Sequence, residues 1–334
     1  MQIFKTPNYN FIRWRWHALA LSAVVLLAGL GLVIARGGLS LGVDFSGGTI
    51  VVIKFMQPVP EPEDVVRRAI QGIPGDKVVQ QYGVPTDSEI LIRLPQTQQT
   101  EQGASLEEGA NRVFRALQDA KVPKFEVVST EIVGPVIGRE LQLKGIYATL
   151  TSIVAITLYI AVRFRPSFAI GAIAATFHDI LVTLALLSFF GYELSLNIVA
   201  AILTITGYSV NDTIVVFDRV RENFRTMRRD ALEQVVNTAV NQTLGRTIIT
   251  AGTTFLTVLS LFLFGGAVLH GFAFTMLVGI VSGTYSTVFI AAAIAIMLSH
   301  RRTAPRAAVQ APPSAAPVPP QPPLRSKARD TKAS

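Results

Sequence analysis

The chain has 334 residues, a formal net charge of +8, no cysteine, and 16% charged against 50% hydrophobic residues. Ordinary soluble domains carry roughly a quarter charged residues, so this balance points to an integral membrane protein with some polar mass attached. The lack of cysteine excludes disulfides, thiolate metal sites and cysteine nucleophiles, and the cations cluster beside apolar runs, where membrane topology explains them better than nucleic acid does.

Residues 1–36 read as an N-terminal segment followed by a first span. Lys5, Arg13 and Arg15 flank Trp14 and Trp16, the mix of cations and aromatics found at membrane interfaces. The apolar run Ala18–Ile34 follows. No small-x-small cleavage pattern fits well before Arg36, so the run reads as an uncleaved anchor.

Residues 37–138 form a polar insert. Thr49–Phe55 is rich in β-branched residues and predicts a strand. Glu61–Ile73 opens on Pro62 and two acids and shows apolar residues at helical spacing. Lys77–Tyr82 and Glu89–Leu94 predict two short strands around a turn. Ser105 with Glu108 has the form of a capping box, ahead of a helix with Leu106, Ala110, Val113, Phe114 and Leu117 on one face. Phe125–Ile132 predicts a last strand. The order β-α-β-β-α-β is the ferredoxin-like one. The glycine-rich Gly42–Gly48 lies before a strand, not between strand and helix, and reads as a turn packing the insert onto the anchor.

Residues 139–302 predict a five-helix membrane domain, and Gly134–Leu141 connects the insert to it. The apolar blocks are Ile146–Val162, Phe168–Phe190, Leu196–Phe217, Thr247–Phe264 and Phe272–Leu298. With the anchor they make six spans, each long enough for a hydrocarbon core of ~30 Å. The expected fold class is therefore an α-helical membrane protein with six transmembrane helices and an α+β ferredoxin-like extracytoplasmic domain inserted after the first. Arg163, Arg165, Arg219, Arg221, Arg225, Arg228, Arg229, Arg301, Arg302 and Arg306 share one side with the N-terminal cations, and the short loops opposite, Gly191–Ser195 and Gly265–Gly271, hold none. The positive-inside rule then puts both termini in the cytoplasm. The loop 218–243 carries Ala231, Leu232, Val235, Val236, Ala239 and Val240, which form either one face of a helix on the membrane surface or an ordinary connecting helix. Residues 303–334 are a Pro/Ala-rich basic tail with the composition of a disordered segment.

Polar groups inside the spans are few. His178 and Asp179 fall near the middle of the third. Ser209, Asn211, Asp212 and Thr213 fall toward one end of the fourth, and Arg246 opens the fifth. A charged Asp at such a depth costs ~2.5–3.5 kcal/mol even on the lenient insertion scale, and intramembrane ionisable groups default to function. Burial favours the protonated form of a carboxyl and a nearby cation favours the ionised form. An Asp212 that alternates between pairing with Arg246 and holding a proton is a two-state transducer; the plainer reading is a static pair that fixes helix packing. Adjacent helical residues point about 100° apart, so His178 and Asp179 are not expected to face one another. Asp179 is read as a support to a proton path or as a helix cap. No zinc-protease, nucleophile-elbow or phosphate-loop motif is present, so no enzyme activity, cofactor or metal is expected.

Several motifs in order carry a family resemblance: Gly42–Thr49, Val133–Leu141, Phe177–Ile180, Leu244–Thr247 and, most specific, Gly207–Asn223, which contains Val210-Asn211-Asp212-Thr213. Over about Phe4–Arg302 the chain resembles the SecF family of protein-translocation accessory subunits, in the RND superfamily. The resemblance implies pairing with SecD, association with the SecYEG translocon, contact with translocating preproteins, and use of the proton-motive force to assist late steps of export across the bacterial inner membrane. It implies that Asp212 and Arg246 lie in the proton path. Membrane lipid is a further expected partner, and nucleic acid is not. Two competing readings are half of a proton-coupled small-solute exporter and a passive scaffold of the translocon.

Overall fold

The computed structural model describes residues 7–74, 77–82, 88–95 and 107–300. Lys5, the Ser105 cap and the tail 303–334 lie outside them. Among the described residues six helices are long and apolar enough to cross a membrane.

A short 3-10 turn, Ile12–Trp14, leads into helix α1, Arg15–Ala35. A four-residue helix α2, Val43–Ser46, precedes strand β1, Gly48–Phe55. Helix α3 (Pro62–Ala69), strands β2 (Val78–Tyr82) and β3 (Glu89–Pro95), helix α4 (Glu108–Asp119) and strand β4 (Phe125–Val133) complete the insert. The sheet order is β2-β3-β1-β4, with every neighbouring pair antiparallel. The two β-α-β units therefore interleave, each placing a strand inside the other. The hydrophobic alternation explains the layering. Val51, Ile53 and Phe55 of β1 and Ile90, Ile92 and Leu94 of β3 lie at period two. They pack with Val66 and Ile70 beneath α3 and with Val113 and Leu117 of α4. Pro62 sits in the first turn of α3, with Glu63 and Asp64 there and Arg67 and Arg68 in the last turn, as the helix dipole favours.

Helix α5, Pro135–Arg163, begins immediately after β4, so the expected connector is helical. Pro135 occupies its first turn, where a missing N–H costs nothing. Helices α6 (Pro166–Phe190), α7 (Leu196–Thr226) and α8 (Leu232–Phe264) follow. No separate helix lies along the surface between α7 and α8. Residues 232–246 run straight into the fifth span, because nothing breaks the helix and Val235, Val236, Ala239 and Val240 are buried in the bundle core. The last span comprises α9 (Gly266–Ser286), a π-helical turn at Thr287–Ala291, and α10 (Ala292–His300).

Small residues set the helix spacing, as expected where lipid supplies no hydrophobic drive between helices. A Cβ on Gly279 of α9 would lie 2.2 Å from Ile205 Cδ1 of α7, and one on Gly283 would lie 2.9 Å from Ser209 Cβ. Gly279→Leu is therefore expected to destabilise the bundle by ~1–3 kcal/mol or more. A thermal melt of the purified protein in detergent should fall by several degrees; an unchanged melt would show that α9 and α7 do not pack this closely.

Candidate functional site

Among the described residues Asp179 is buried and Asp212 half-buried inside the membrane bundle, and the two are held differently. Asp179, on α6, is 1% exposed. Its Oδ1 accepts from Ser282 at 2.7 Å and faces His178 Nδ1 at 3.1 Å. Its Oδ2 accepts from Ser209 at 2.6 Å and Ser286 at 2.7 Å. Hydroxyls from α7 and α9 thus converge on one carboxyl of α6. On its other side His178 Nε2 lies 3.0 Å from Ser22 Oγ of α1, which is 3.2 Å from Tyr285 Oη. Tyr285 in turn donates to the Ala18 carbonyl at 2.7 Å. One polar network therefore threads α1, α6, α7 and α9.

This differs from the expectation for His178 and Asp179. Their backbones do diverge by a helical step, but the imidazole reaches back far enough for its ring nitrogen to meet the carboxyl. Ser22, Ser282, Ser286 and Tyr285 were not anticipated from the sequence. The signal available for two of them was spacing: Ser282 and Ser286, four apart in an apolar span, share one helix face.

Asp212, on α7, is held by a single donor. Thr247 Oγ1 of α8 donates to its Oδ1 at 2.8 Å, while its Oδ2 is buried with no hydrogen-bond partner. The expected Asp212–Arg246 ion pair is not formed. Arg246 is exposed whereas Thr247 is buried; the 100° step between neighbours on α8 turns the hydroxyl toward α7 and the guanidinium outward. Of the supporting residues, Ser209 joins the Asp179 network. Thr213 Oγ1 lies 2.9 Å from Thr287 Oγ1 at the π-helical turn. Asn211 is exposed and makes no side-chain hydrogen bond among the described residues.

Asn211 belongs to a polar face. Thr204, Gly207 and Asn211 on α7 are exposed at helical spacing, as are Arg246, Thr250, Thr253, Thr257 and Ser260 on α8. On this face of α8 the hydroxyls of Thr253, Thr257 and Ser260 bond to backbone carbonyls of their own helix, for example Thr257 to Thr253 and Ser260 to Leu256. Such a stripe is out of place against hydrocarbon.

The insert is tied to the opposite end of α7. Asp44 Oδ2 accepts from the Leu196 backbone N–H at 2.8 Å, so an acid of the insert caps the N-terminus of the helix that carries Asp212. Gly42 N–H donates to Leu194 O at 2.8 Å and Leu194 N–H to Ser40 O at 2.7 Å. Arg93 of β3 pairs with Glu193 in the α6–α7 loop and donates to Leu41 O at 2.8 Å. Gly138 of α5 leaves room for this segment, since a Cβ there would be 3.1 Å from Phe45 O. The Gly42–Gly48 stretch therefore packs on α5 and the α6–α7 loop, and not on α1 as its sequence suggested. Its short apolar residues and glycines match close backbone approach, but nothing local in them identifies which helix they approach.

Comparison with known proteins adds the family context. A family profile described as "Protein export membrane protein SecD/SecF, C-terminal" matches residues 113–301, and one described as "SecD/SecF GG Motif" matches residues 33–59. The protein translocase subunit SecF of Rhodothermus marinus is 41% identical over 319 residues, covering 92% of this chain and 98% of that protein. The crystal structure of SecDF, a translocon-associated membrane protein from Thermus thermophilus, is similar with a TM-score of 0.78 at 35% identity, covering 88% of this chain. A structure of SecDF in a super-membrane-facing form gives a TM-score of 0.65, also at 35% identity, over 90% of this chain. The chain corresponds to 39% and 40% of those two longer chains.

Each serine donor to Asp179 is expected to contribute ~0.6–1.7 kcal/mol, the range of interhelical hydrogen bonds in membranes. Ser282→Ala should lower the melting temperature in detergent, and Ser282→Ala/Ser286→Ala should lower it further. Equal melts for wild type and the double variant would remove Asp179 from the bundle's stabilising contacts.

Proposed function

This chain belongs to the SecD/SecF family of protein export membrane proteins, and on that premise we propose that it is a proton-driven subunit that works with SecD on preproteins leaving the translocon. It is a multi-pass protein of the bacterial inner membrane with a role in protein export. The finer reading is that Asp212 alternately binds and releases a proton, and that α7 carries the resulting movement to the insert, which holds a translocating chain in one state and frees it in the other. The insert then faces away from the cytoplasm and both termini face it.

One observation carries this reading: Asp212 has one satisfied and one buried, unpartnered oxygen. A static packing pair would leave no such atom, because a buried unsatisfied acceptor costs ~1–3 kcal/mol. Protonation would remove the charge that burial penalises, and a turn of α8 that brings Arg246 inward would supply the missing donor. The exposed polar face on α7 and α8 surrounds this group and suits a partner bundle of complementary polarity, the place for SecD. The route to the insert follows from the caps. Asp212 lies 16 residues beyond Leu196, or about 24 Å along the helix, and Asp44 and the Arg93–Glu193 pair seize that far end. The proposed route therefore runs along α7 itself.

The energy scale is adequate. One proton crossing 100 mV supplies ~2.3 kcal/mol, and a swing from 1:99 to 99:1 needs ~5.5 kcal/mol, so a full stroke requires more than one proton or an added pH gradient. The exporter reading is disfavoured by the insert's size, since a single four-stranded sheet with two helices offers little room for a solute pocket.

Asp212→Asn should abolish gradient-dependent preprotein release in vesicles containing the chain, its SecD partner and the translocon, with assembly intact. Release that remains gradient-dependent would make the acid structural. A second variant tests the linkage. Asp44→Ala removes the acceptor of the Leu196 N–H beside the N-cap Ser195, typically ~1 kcal/mol, and should weaken gradient-dependent release several-fold while leaving Asp212 untouched; unchanged release would place the coupling elsewhere.

A further inference from the structure

At the arginine-rich end of the bundle, the close of α5, the start of α6 and the projecting end of α7 enclose a cavity of about 570 Å³. Its floor is aromatic: Phe168 and Phe217 are 6% and 1% exposed, with ring centroids 5.0 Å apart, and Phe224 stands edge-on to Phe168 at 6.2 Å. Its rim is cationic, with Arg163, Arg165, Arg221, Arg225 and Arg228 among the lining residues and no acid. Arg163 is committed to Asp218 at 2.7 Å. Among the described residues the other four have no carboxylate partner. Arg165 instead lies over the Phe224 ring at 5.7 Å.

We propose that this cavity binds one anionic phospholipid, with the phosphate on the unpaired guanidiniums and the upper acyl chain over the phenylalanines. Charge alone would not support this, since cations gather at this end of any such bundle. The concave arrangement does. Guanidinium forks match phosphate oxygens in pairs, and here they ring an apolar floor at the depth where three spans end. Within a turn of the lining residues Val162 and Ile170 are 82% and 51% exposed, so an acyl chain leaving the cavity meets apolar surface. An acidic peptide would satisfy the rim but would bury carboxylates and backbone against Phe168 and Phe217. Basic pockets between spans at this level have the chemistry that selects anionic headgroups.

Native mass spectrometry of the full chain in complex with its SecD partner, titrated with phosphatidylglycerol, phosphatidylcholine or inorganic phosphate, tests the assignment. One phosphatidylglycerol should be retained at least about tenfold more tightly than phosphatidylcholine. Arg165→Gln/Arg225→Gln should weaken it by about tenfold or more, while Arg165→Lys/Arg225→Lys should keep most of the binding because the charge remains. Equal retention of the two lipids, or unchanged retention in the glutamine variant, would overturn the proposal. So would displacement of the lipid by millimolar phosphate, which would make the ligand the free anion. If the glutamine variant fails to assemble, the preference of the wild type for the anionic lipid still decides the matter.

Discussion

A carboxyl group in hydrocarbon must find donors from neighbouring helices, hold a proton, or remain under strain, and the two acids of this bundle differ in how far they meet that demand. Asp179 draws three serine hydroxyls and a histidine around itself. It ties α6, α7 and α9 together, while His178 extends the network to α1 through Ser22. Asp212 has only Thr247 and an unmatched oxygen. The first arrangement resists movement because shifting any of the helices breaks hydrogen bonds in a medium that offers no replacements. The second invites it, since a change of proton occupancy or a small rotation of α8 alters the bonding at low cost. Both acids lie against α7: Ser209, one turn before Asp212, belongs to the fixed network. In the proposed mechanism the fixed acid is the fulcrum against which the unsettled one would act.

The close packing around that fulcrum depends on residues without side-chain bulk. Gly279 and Gly283 bring α9 onto α7, and the second of these places Ser282 and Ser286 within reach of Asp179. Beyond the membrane the same economy recurs at Gly42 and Gly138, where backbone meets backbone and the insert grips the α6–α7 loop. The two ends of α7 are therefore engaged by different parts of the molecule, one by Thr247 at Asp212 and the other by Asp44 of the insert.

Much of this was legible in the sequence, and the limits follow from physics. Six apolar runs gave six spans because a buried helix must satisfy its backbone internally. The period-two pattern of Val51–Phe55 and Ile90–Leu94 placed the strands of the insert. Asp212 stood out because an acid among Val210, Ile214 and Val215 has no cheap explanation. Its partner was misassigned because charge drew attention to Arg246, whereas one residue further along α8 the buried Thr247 faces α7; a 100° step is invisible without the tertiary packing that fixes helix rotation. The role of Asp179 was underestimated for a related reason. Its donors are serines distributed over two other helices, and serines in spans carry no individual signal. The merging of residues 232–246 into the fifth span was missed because Glu233 and Gln234 ahead of the apolar Val235 and Val236 read equally as a surface helix. Only burial of those valines decides it.

The central claim is that α7 transmits the protonation of Asp212 to the insert, and it concerns a distance. The chain has no cysteine, so two introduced cysteines can carry spin labels without background, one at the exposed Arg115 of α4 and one at Phe264, the last residue of α8. Electron–electron resonance on the SecD-paired complex in lipid should show two distance populations whose ratio changes with pH in the wild type and is fixed at one of them in Asp212→Asn. A single distribution, unmoved by pH and identical in the variant, would contradict the account.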